Sequence, residues 1–364
     1  MTFKQYKNGI PVIEATNAEN FEVSDSVTVG DSVTVGDSVT VQNSITVEEI
    51  YTRFDVPVFL VANQNTGSNK FAITSDGITW TDAAGPTTSY RWLCVTHADG
   101  KFVALSRDTA AYSTDAVTWT ENAMPVSINS SYAMAGWVSV VHGEGKFVAT
   151  TADFTGNVGS SVAAYSTDAI TWTQTTLPAT RVWKSVVHGD EKFVAIADTY
   201  PASNTAAYST DGITWTQTAL PASVRWQSVT YGNGAFVAIA ADGTIAAYST
   251  NGITWTQTAL PRHMYGKGVA HGGDKFVAVA NAGVSAYSTD GITWTEGAMP
   301  AVQYGTITHD RGTFVACSST GTTAAISTDG ITWTETTMAT SGYWASLTPG
   351  IANRVDKINS FIYP

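Results

Sequence analysis

Three groups of side chains in this 364-residue sequence have types and spacing that could do chemistry. The first is a set of histidines, His97, His142, His188, His271 and His309, each at the same place in a repeated segment. A ring of imidazoles suggests a metal, but one histidine per repeat, with no Cys or carboxylate at ligand spacing, is poor provision for a tetrahedral site. Tyr231 takes the same place in another copy with no other change, so the histidines read as part of a repeated template. The second group is Arg91, Arg181, Arg225 and Arg262, set beside Tyr90, Tyr265, Tyr304 and Tyr343. Guanidinium forks hold carboxylates by paired hydrogen bonds, and aromatic rings stack on the apolar faces of sugars, so this is chemistry of recognition. The plainer reading is that these arginines cap strand ends. The third group is the carboxylates. Glycoside cleavage needs two of them about 5 to 9.5 Å apart, yet Glu121, Glu296 and Glu335 each follow a Trp-Thr at the rim of a repeat, and no pair stands out. Gly-rich phosphate loops, nucleophile elbows and zinc-helix motifs are absent. No catalytic residue, metal or cofactor is expected.

The elements that must position these groups are repeats. Ala206 to Thr216 reads Ala-Ala-Tyr-Ser-Thr-Asp-Gly-Ile-Thr-Trp-Thr, and the segment recurs so that Trp80, Trp119, Trp172, Trp215, Trp255, Trp294 and Trp333 fall about forty residues apart, with one longer gap. Each unit holds four short apolar runs: A (Trp-x-Ser-Val), B (Phe-Val-Ala), C (Ala-Tyr-Ser) and D (Ile-Thr-Trp-Thr), without helical period. Four strands per unit and seven units predict an all-β, seven-bladed β-propeller over residues 58–350. The Asp-Gly between C and D predicts a hairpin turn, since glycine tolerates positive φ and the Asp side chain can bond the turn amides. The first unit starts at its B run, Val58 to Ala62. Its A run is expected from the far end of the chain, Tyr343 to Thr348, which would close the ring and remove two open sheet edges.

Ser-x-Asp-Gly-x-x-Trp resembles the Asp-box of sialidase-type and related propellers. The matching positions are Asp76, Asp115, Asp168, Asp211, Asn251, Asp290 and Asp329; Ala116 and Ala169 replace the glycine, and Asn251 the aspartate. In that family the box is a structural device away from the active centre, so the resemblance implies a fold rather than an activity. A sialidase reading would also need an identifiable nucleophile-activating Glu, and none is found.

Ahead of the propeller, residues 19–48 carry a six-residue repeat, typified by Asp25-Ser26-Val27-Thr28-Val29-Gly30. Alternation along a strand puts Val27, Val29, Val33, Val35, Val39, Val41, Ile45 and Val47 on one side. Five hexads amount to less than two turns of a single-chain coil at about three hexads per turn, too few to bury those valines. Three chains are expected to associate here into a homotrimeric β-stalk; an edge strand lying along the propeller is the alternative. Residues 1–18 read as an attachment segment, 49–57 as a neck and 351–364 as a C-terminal tail. The short β-stalk with a terminal propeller resembles bacteriophage tail-fibre and other receptor-binding virion proteins. That resemblance implies a virion location, docking of the N-terminus to another virion protein and host-surface glycan or protein recognition.

The formal charge of −12, with only 13% charged residues, argues against nucleic-acid binding, which draws on clustered Lys and Arg. Cys94 and Cys317 fall in distant units, so a disulfide framework is not expected. Neither a membrane-spanning run nor a signal-peptide layout is read, so synthesis in a host cytoplasm is expected. Turns A-B and C-D share one face of the disc and are nearly uniform; B-C and D-A connections share the other and vary in length. The long segments are Glu121 to Gly136, Thr150 to Ser161 and Asp198 to Asn204, on adjacent units. Loops on a rigid scaffold carry recognition, so candidate ligand-binding residues are Arg91, Tyr132, Asp153, Phe154, Arg181, Asp198, Tyr200, Arg225, Arg262 and Tyr265. A purely structural virion protein and a glycosidase on an Asp-box scaffold are the competing readings.

Overall fold

The structure, a computed structural model, describes residues 50–64, 69–87, 91–125, 136–152, 159–199 and 201–357 together with seven short strands before residue 48, and side chains within the range 55–353. The chain divides into two units, Pro57–Gly350 and Met1–Val56 with Ile351–Pro364.

Pro57–Gly350 is the seven-bladed propeller. In blade 4, A is Trp183–Gly189, B Lys192–Ala197, C Ser203–Ser209 and D Thr216–Val224, paired antiparallel in that order. Five further blades repeat this order, and the first completes its sheet with the C-terminal strand Trp344–Lys357 beside Ile50–Asn63. The closure expected from the two chain ends is therefore present. It is held from the channel to the rim: Gln64 N–H donates to Tyr343 O (2.8 Å), Trp344 N–H to Ser319 O (3.2 Å) and the Thr336 hydroxyl to Gly77 O (3.1 Å). Phe59, Val61, Trp80 and Trp344 of blade 1 pack with Val315, Cys317 and Met338 of blade 7 in one buried cluster.

Both faces of each sheet are covered by neighbouring blades, which is why the B runs are buried along their length. Trp92, Trp137, Trp183, Trp226 and Trp344, which open the A runs, are among the largest fully buried side chains. Between innermost strands the A-run serines act as hinges of the ring: Val186 N–H donates to Ser139 Oγ (3.0 Å), Val229 N–H to Ser185 Oγ (3.3 Å), Val269 N–H to Ser228 Oγ (3.2 Å) and Val95 N–H to Ser346 Oγ (3.2 Å). At the outer rim, D-strand threonines latch onto the next blade; the hydroxyls of Thr175 and Thr218 donate to Ile213 O and Ile253 O, each at 2.6 Å.

Two features of the D run differ from the sequence reading. Strand D begins only after the tryptophan, at Thr216 rather than Ile213 in blade 4, so the C-D connection is a loop and not a two-residue turn. The carboxylate is its organising atom: Asp211 Oδ1 accepts from Ile213 N–H (2.8 Å), Thr214 N–H (2.7 Å) and the Ser209 hydroxyl (2.8 Å). Those bonds spend the alternation that would have made Ile-Thr-Trp a strand. The same loop forms around Asp76, Asp115, Asp168, Asp290 and Asp329, and around Asn251 through its amide oxygen. Gly212 sits at φ 72, and Ala116 and Ala169 adopt the same left-handed conformation at φ 62 and 65. Secondly, D strands in blades 3 to 5 run on past their proline, so a single residue, Val182, Arg225 or Tyr265, links D to the next A. The D-A connection there is a corner and not a loop.

In the other unit the hexads pair within one chain. Phe21–Val23 lies parallel to Val39–Val41, Val27–Val29 to Ile45–Val47 and Val33–Val35 to the start of Ile50–Asn63. Partners in the first two pairs are three hexads apart, the spacing of a triangular single-chain coil, and those in the third are one residue closer. Phe3–Tyr6 and Ile10–Ile13 form a separate antiparallel hairpin.

Candidate functional site

The histidines are the simplest group to place. His188 packs on Phe193 of its own blade with ring centroids 4.7 Å apart, and His97, His142, His271 and His309 repeat the pairing with their own phenylalanines. Most of these rings also cover a glycine of the preceding blade: Gly143 under His188, Gly232 under His271, Gly272 under His309, and Gly189 under Tyr231, whereas blade 2 has Ala98 at the equivalent place. A Cβ at any of these four would overlap the ring, so the glycine that ends the A strand in blades 3 to 6 is an interlocking device. Burial lowers the pKa of His271, with His309 adding to the effect, and burial likewise lowers that of His309. No group of three metal-ligating side chains occurs among the described residues.

The arginines are engaged within the propeller. Arg225 Nε and Nη2 donate to Asp198 Oδ1 (2.6 Å) and Oδ2 (3.1 Å), a bidentate pair whose carboxylate is buried. Arg181 Nε donates to Thr205 Oγ1 (3.1 Å) and Nη1 to Thr180 O (2.8 Å), while Arg262 Nη1 meets Glu296 Oε1 at 2.8 Å on the surface. Arg91 is half-buried. Tyr265 is 55% exposed and stands edge-on to His263. Tyr132, Asp153, Phe154 and Tyr200 lie outside the described residues. Of the ten recognition candidates, Asp198 and Arg225 are brought together. The engagement of Arg181, Arg225 and Arg262 fits the strand-capping reading.

What gathers polar groups from all the blades is the channel. A cavity of about 290 Å³ opens where the A strands begin, lined by Leu93, Val138, Lys184, Gln227, Lys267, Gly305 and Ala345, one from each blade. Each is the x of Trp-x-Ser or its equivalent. In blades 3 to 7 the A-B register slips at this residue, for example between Trp183 and Ser185, so Lys184, Gln227 and Lys267 are bulge residues. A bulge leaves one residue unpaired and re-aims its side chain, here into the channel. Among the described residues no Asp or Glu lines the cavity, and Ser139, Ser185, Ser228 and Ser346 line it together with the lysines. Burial pushes the Lys184 ammonium below the ordinary lysine pKa; Asp198 opposes this, and Lys267 and Arg225 reinforce it. Two ammonium groups thus share a small polar space in a chain of charge −12.

Sequence reasoning missed Lys184, Gln227 and Lys267. The signal was available: between a position that is Trp in five blades and one that is Ser in four, the intervening residue runs Leu, Val, Lys, Gln, Lys, Gly and Ala through the blades. A repeat that varies at one inner-strand position marks what the scaffold leaves open.

Residues 166–304 match the DUF6242 beta propeller domain, a similarity that spans less than half of the chain. No curated protein matches the sequence. Among solved structures, selenomethionine-substituted virginiamycin B lyase from Staphylococcus aureus is similar with a TM-score of 0.59 and 14% identity, over 74% of this chain and 96% of that one. The structure titled YCF48 bound to D1 peptide is similar with a TM-score of 0.51 and 15% identity, over 73% and 93% of the two chains. The computationally designed Ika8 protein has a TM-score of 0.51 and 12% identity, over 73% and 83%. At such identities these likenesses establish the propeller fold alone.

Proposed function

We propose that this chain is a non-enzymatic, virion-associated recognition protein of the tail-fibre or adhesin type, whose propeller takes a host-surface glycan or protein. The observation that carries the reading is the polar cavity at the channel mouth. Every blade contributes at least one residue to it, and it opens on the face where connection lengths vary. Convergent polar groups in a concave site on a rigid scaffold are the usual form of a small-ligand site. The hexad segment acts as the stalk. Three chains joined there would present three propellers, and linked weak sites gain apparent affinity through effective concentration. Residues 1–18 dock to another virion protein.

The test is a glycan array probed with the full chain, beside its mass in solution. A restricted set of bound glycans and a mass of three chains are expected. Blank arrays with a monomeric mass would remove the reading. A structural virion protein whose disc binds nothing small is favoured by one observation: Arg181, Arg225 and Arg262 already have partners inside the propeller.

A further inference from the structure

The fold does not require lysine where Lys184 and Lys267 stand. The same bulge position is Val138 in blade 3 and Gly305 in blade 7, and the equivalent residues of blades 2 and 1 are Leu93 and Ala345. Propeller closure and blade packing are alike in all of them. Two cations on one cavity wall repel each other, more strongly as water is excluded, so their placement is a cost that the scaffold avoids elsewhere. Among the described residues neither ammonium has a carboxylate within ion-pair distance. Asp198, the acidic group nearest in effect to Lys184, is held on both oxygens by Arg225.

The cavity also supplies neutral donors. Ser139, Ser185, Ser228 and Ser346 each accept a neighbouring blade's N–H through Oγ. A hydroxyl has one proton to give besides its acceptor lone pairs, and the amides leave that proton unspent. Gln227, between the two lysines in blade order, adds an amide. Gly305 and Ala345, in blades 7 and 1, place no long side chain on the rest of the wall.

We propose that the channel mouth binds an anionic group, a carboxylate or phosphate on a small polar molecule, between Lys184 and Lys267 with Gln227 and the seryl hydroxyls as neutral donors. About 290 Å³ is the low end of ligand-site volumes and suits one sugar-sized unit. The proposal rests on the recognition reading only in its choice of sugar probes: a host glycan taken here would be acidic at the unit that enters.

The experiment is isothermal titration calorimetry on the full chain with glucuronate, glucose and inorganic phosphate, at low and high salt. Glucuronate should bind at low salt and lose affinity with added salt, with glucose at least about 10-fold weaker, since a charge-assisted bond carries that much. Lys267→Met and Lys184→Met should each weaken glucuronate about 10-fold. Methionine is apolar like Leu93 and Val138 at the same position, and far-ultraviolet circular dichroism checks the fold. Should Lys184→Met fail to fold, Lys267→Met alone decides. Phosphate binding without glucuronate binding supports the anion site and counts against an acidic glycan as its ligand. Equal binding of glucose and glucuronate, unmoved by either lysine, overturns the anion site and leaves glycan recognition standing. Binding of neither anion overturns the proposal outright.

Discussion

The interlock between blades makes a sharp prediction at Gly232. Its backbone is in ordinary extended strand, so alanine costs nothing conformationally and gains slightly by restricting the unfolded chain, by about 0.4–1 kcal/mol. The obstacle is the next blade. A Cβ at Gly232 would come closer than 3.0 Å to Cγ, Nδ1 and Cδ2 of His271, the root of the ring and not a flexible tip. The imidazole is not free to swing aside, since it packs on its cross-strand neighbour Phe276 with ring centroids 4.7 Å apart. Gly232→Ala must therefore displace the ring or part the blades; overpacking costs about 1–3 kcal/mol, and the lost ring contact adds about 0.5–1.5 kcal/mol. A net loss of about 2–3 kcal/mol is expected, which for a propeller of this size lowers the thermal midpoint by about 3–5 °C. The assay is a double-mutant cycle with His271→Ala, read by urea and thermal denaturation. Once the ring is gone, Gly232→Ala should be neutral or mildly stabilising, giving a coupling of about 2 kcal/mol or more. Additive effects, or a single substitution costing under about 0.5 kcal/mol, would refute the interlock.

Three other outcomes follow from the same geometry. Arg225→Ala leaves the Asp198 carboxylate, 4% exposed, without its bidentate partner, and should cost about 1–3 kcal/mol in urea denaturation; adding Asp198→Ala should recover part of it, and no recovery would count against the pair. Acid should weaken the fold in two stages. His271 and His309 have folded pKa values depressed below 6.5 by burial, so their contribution is whole above that pH and falls away beneath it as the unfolded chain takes up protons first. The loop carboxylates follow: Asp329 is depressed to about 2 by the Ile331 and Thr332 amides, and Asp211 to about 2 because the Thr214 and Ile213 amides outweigh the opposing effect of burial, so their contribution is lost between pH 3.8 and about 2. A urea midpoint that stays level from neutral pH to pH 3 would contradict this. Ending the chain before Tyr343 removes the A strand of blade 1 and bares Phe59 and Val61; size-exclusion chromatography and limited proteolysis should show an aggregating, readily cleaved protein, and a compact resistant monomer would deny the closure.

Much of the fold is legible in the residues because the propeller is built from local rules repeated. Ser-x-Asp-Gly-x-x-Trp announces its loop through an acceptor in reach of two amides, and the Trp-Ala-Ser of 344–346 can be matched to the starts of other blades by eye. The strand boundary after each tryptophan is less legible, since Ile-Thr-Trp alternates like a strand until the carboxylate captures its amides. The partners of the arginines are illegible for a related reason: Thr205, Asp198 and Glu296, which engage Arg181, Arg225 and Arg262, lie 24 to 34 residues away in sequence.

Seven four-stranded units, their order and the completion of the first by the last stretch of chain were determined by the sequence alone, because apolar alternation and turn chemistry act between near neighbours. Tertiary structure alone decided which side chains meet in the channel. A bulge depends on how two strands settle their register, and only the closed ring brings Lys184 and Lys267, two blades apart, to the wall of one cavity. The same holds for the glycines: Gly232 is one strand residue among many until the imidazole of the next blade lies across it.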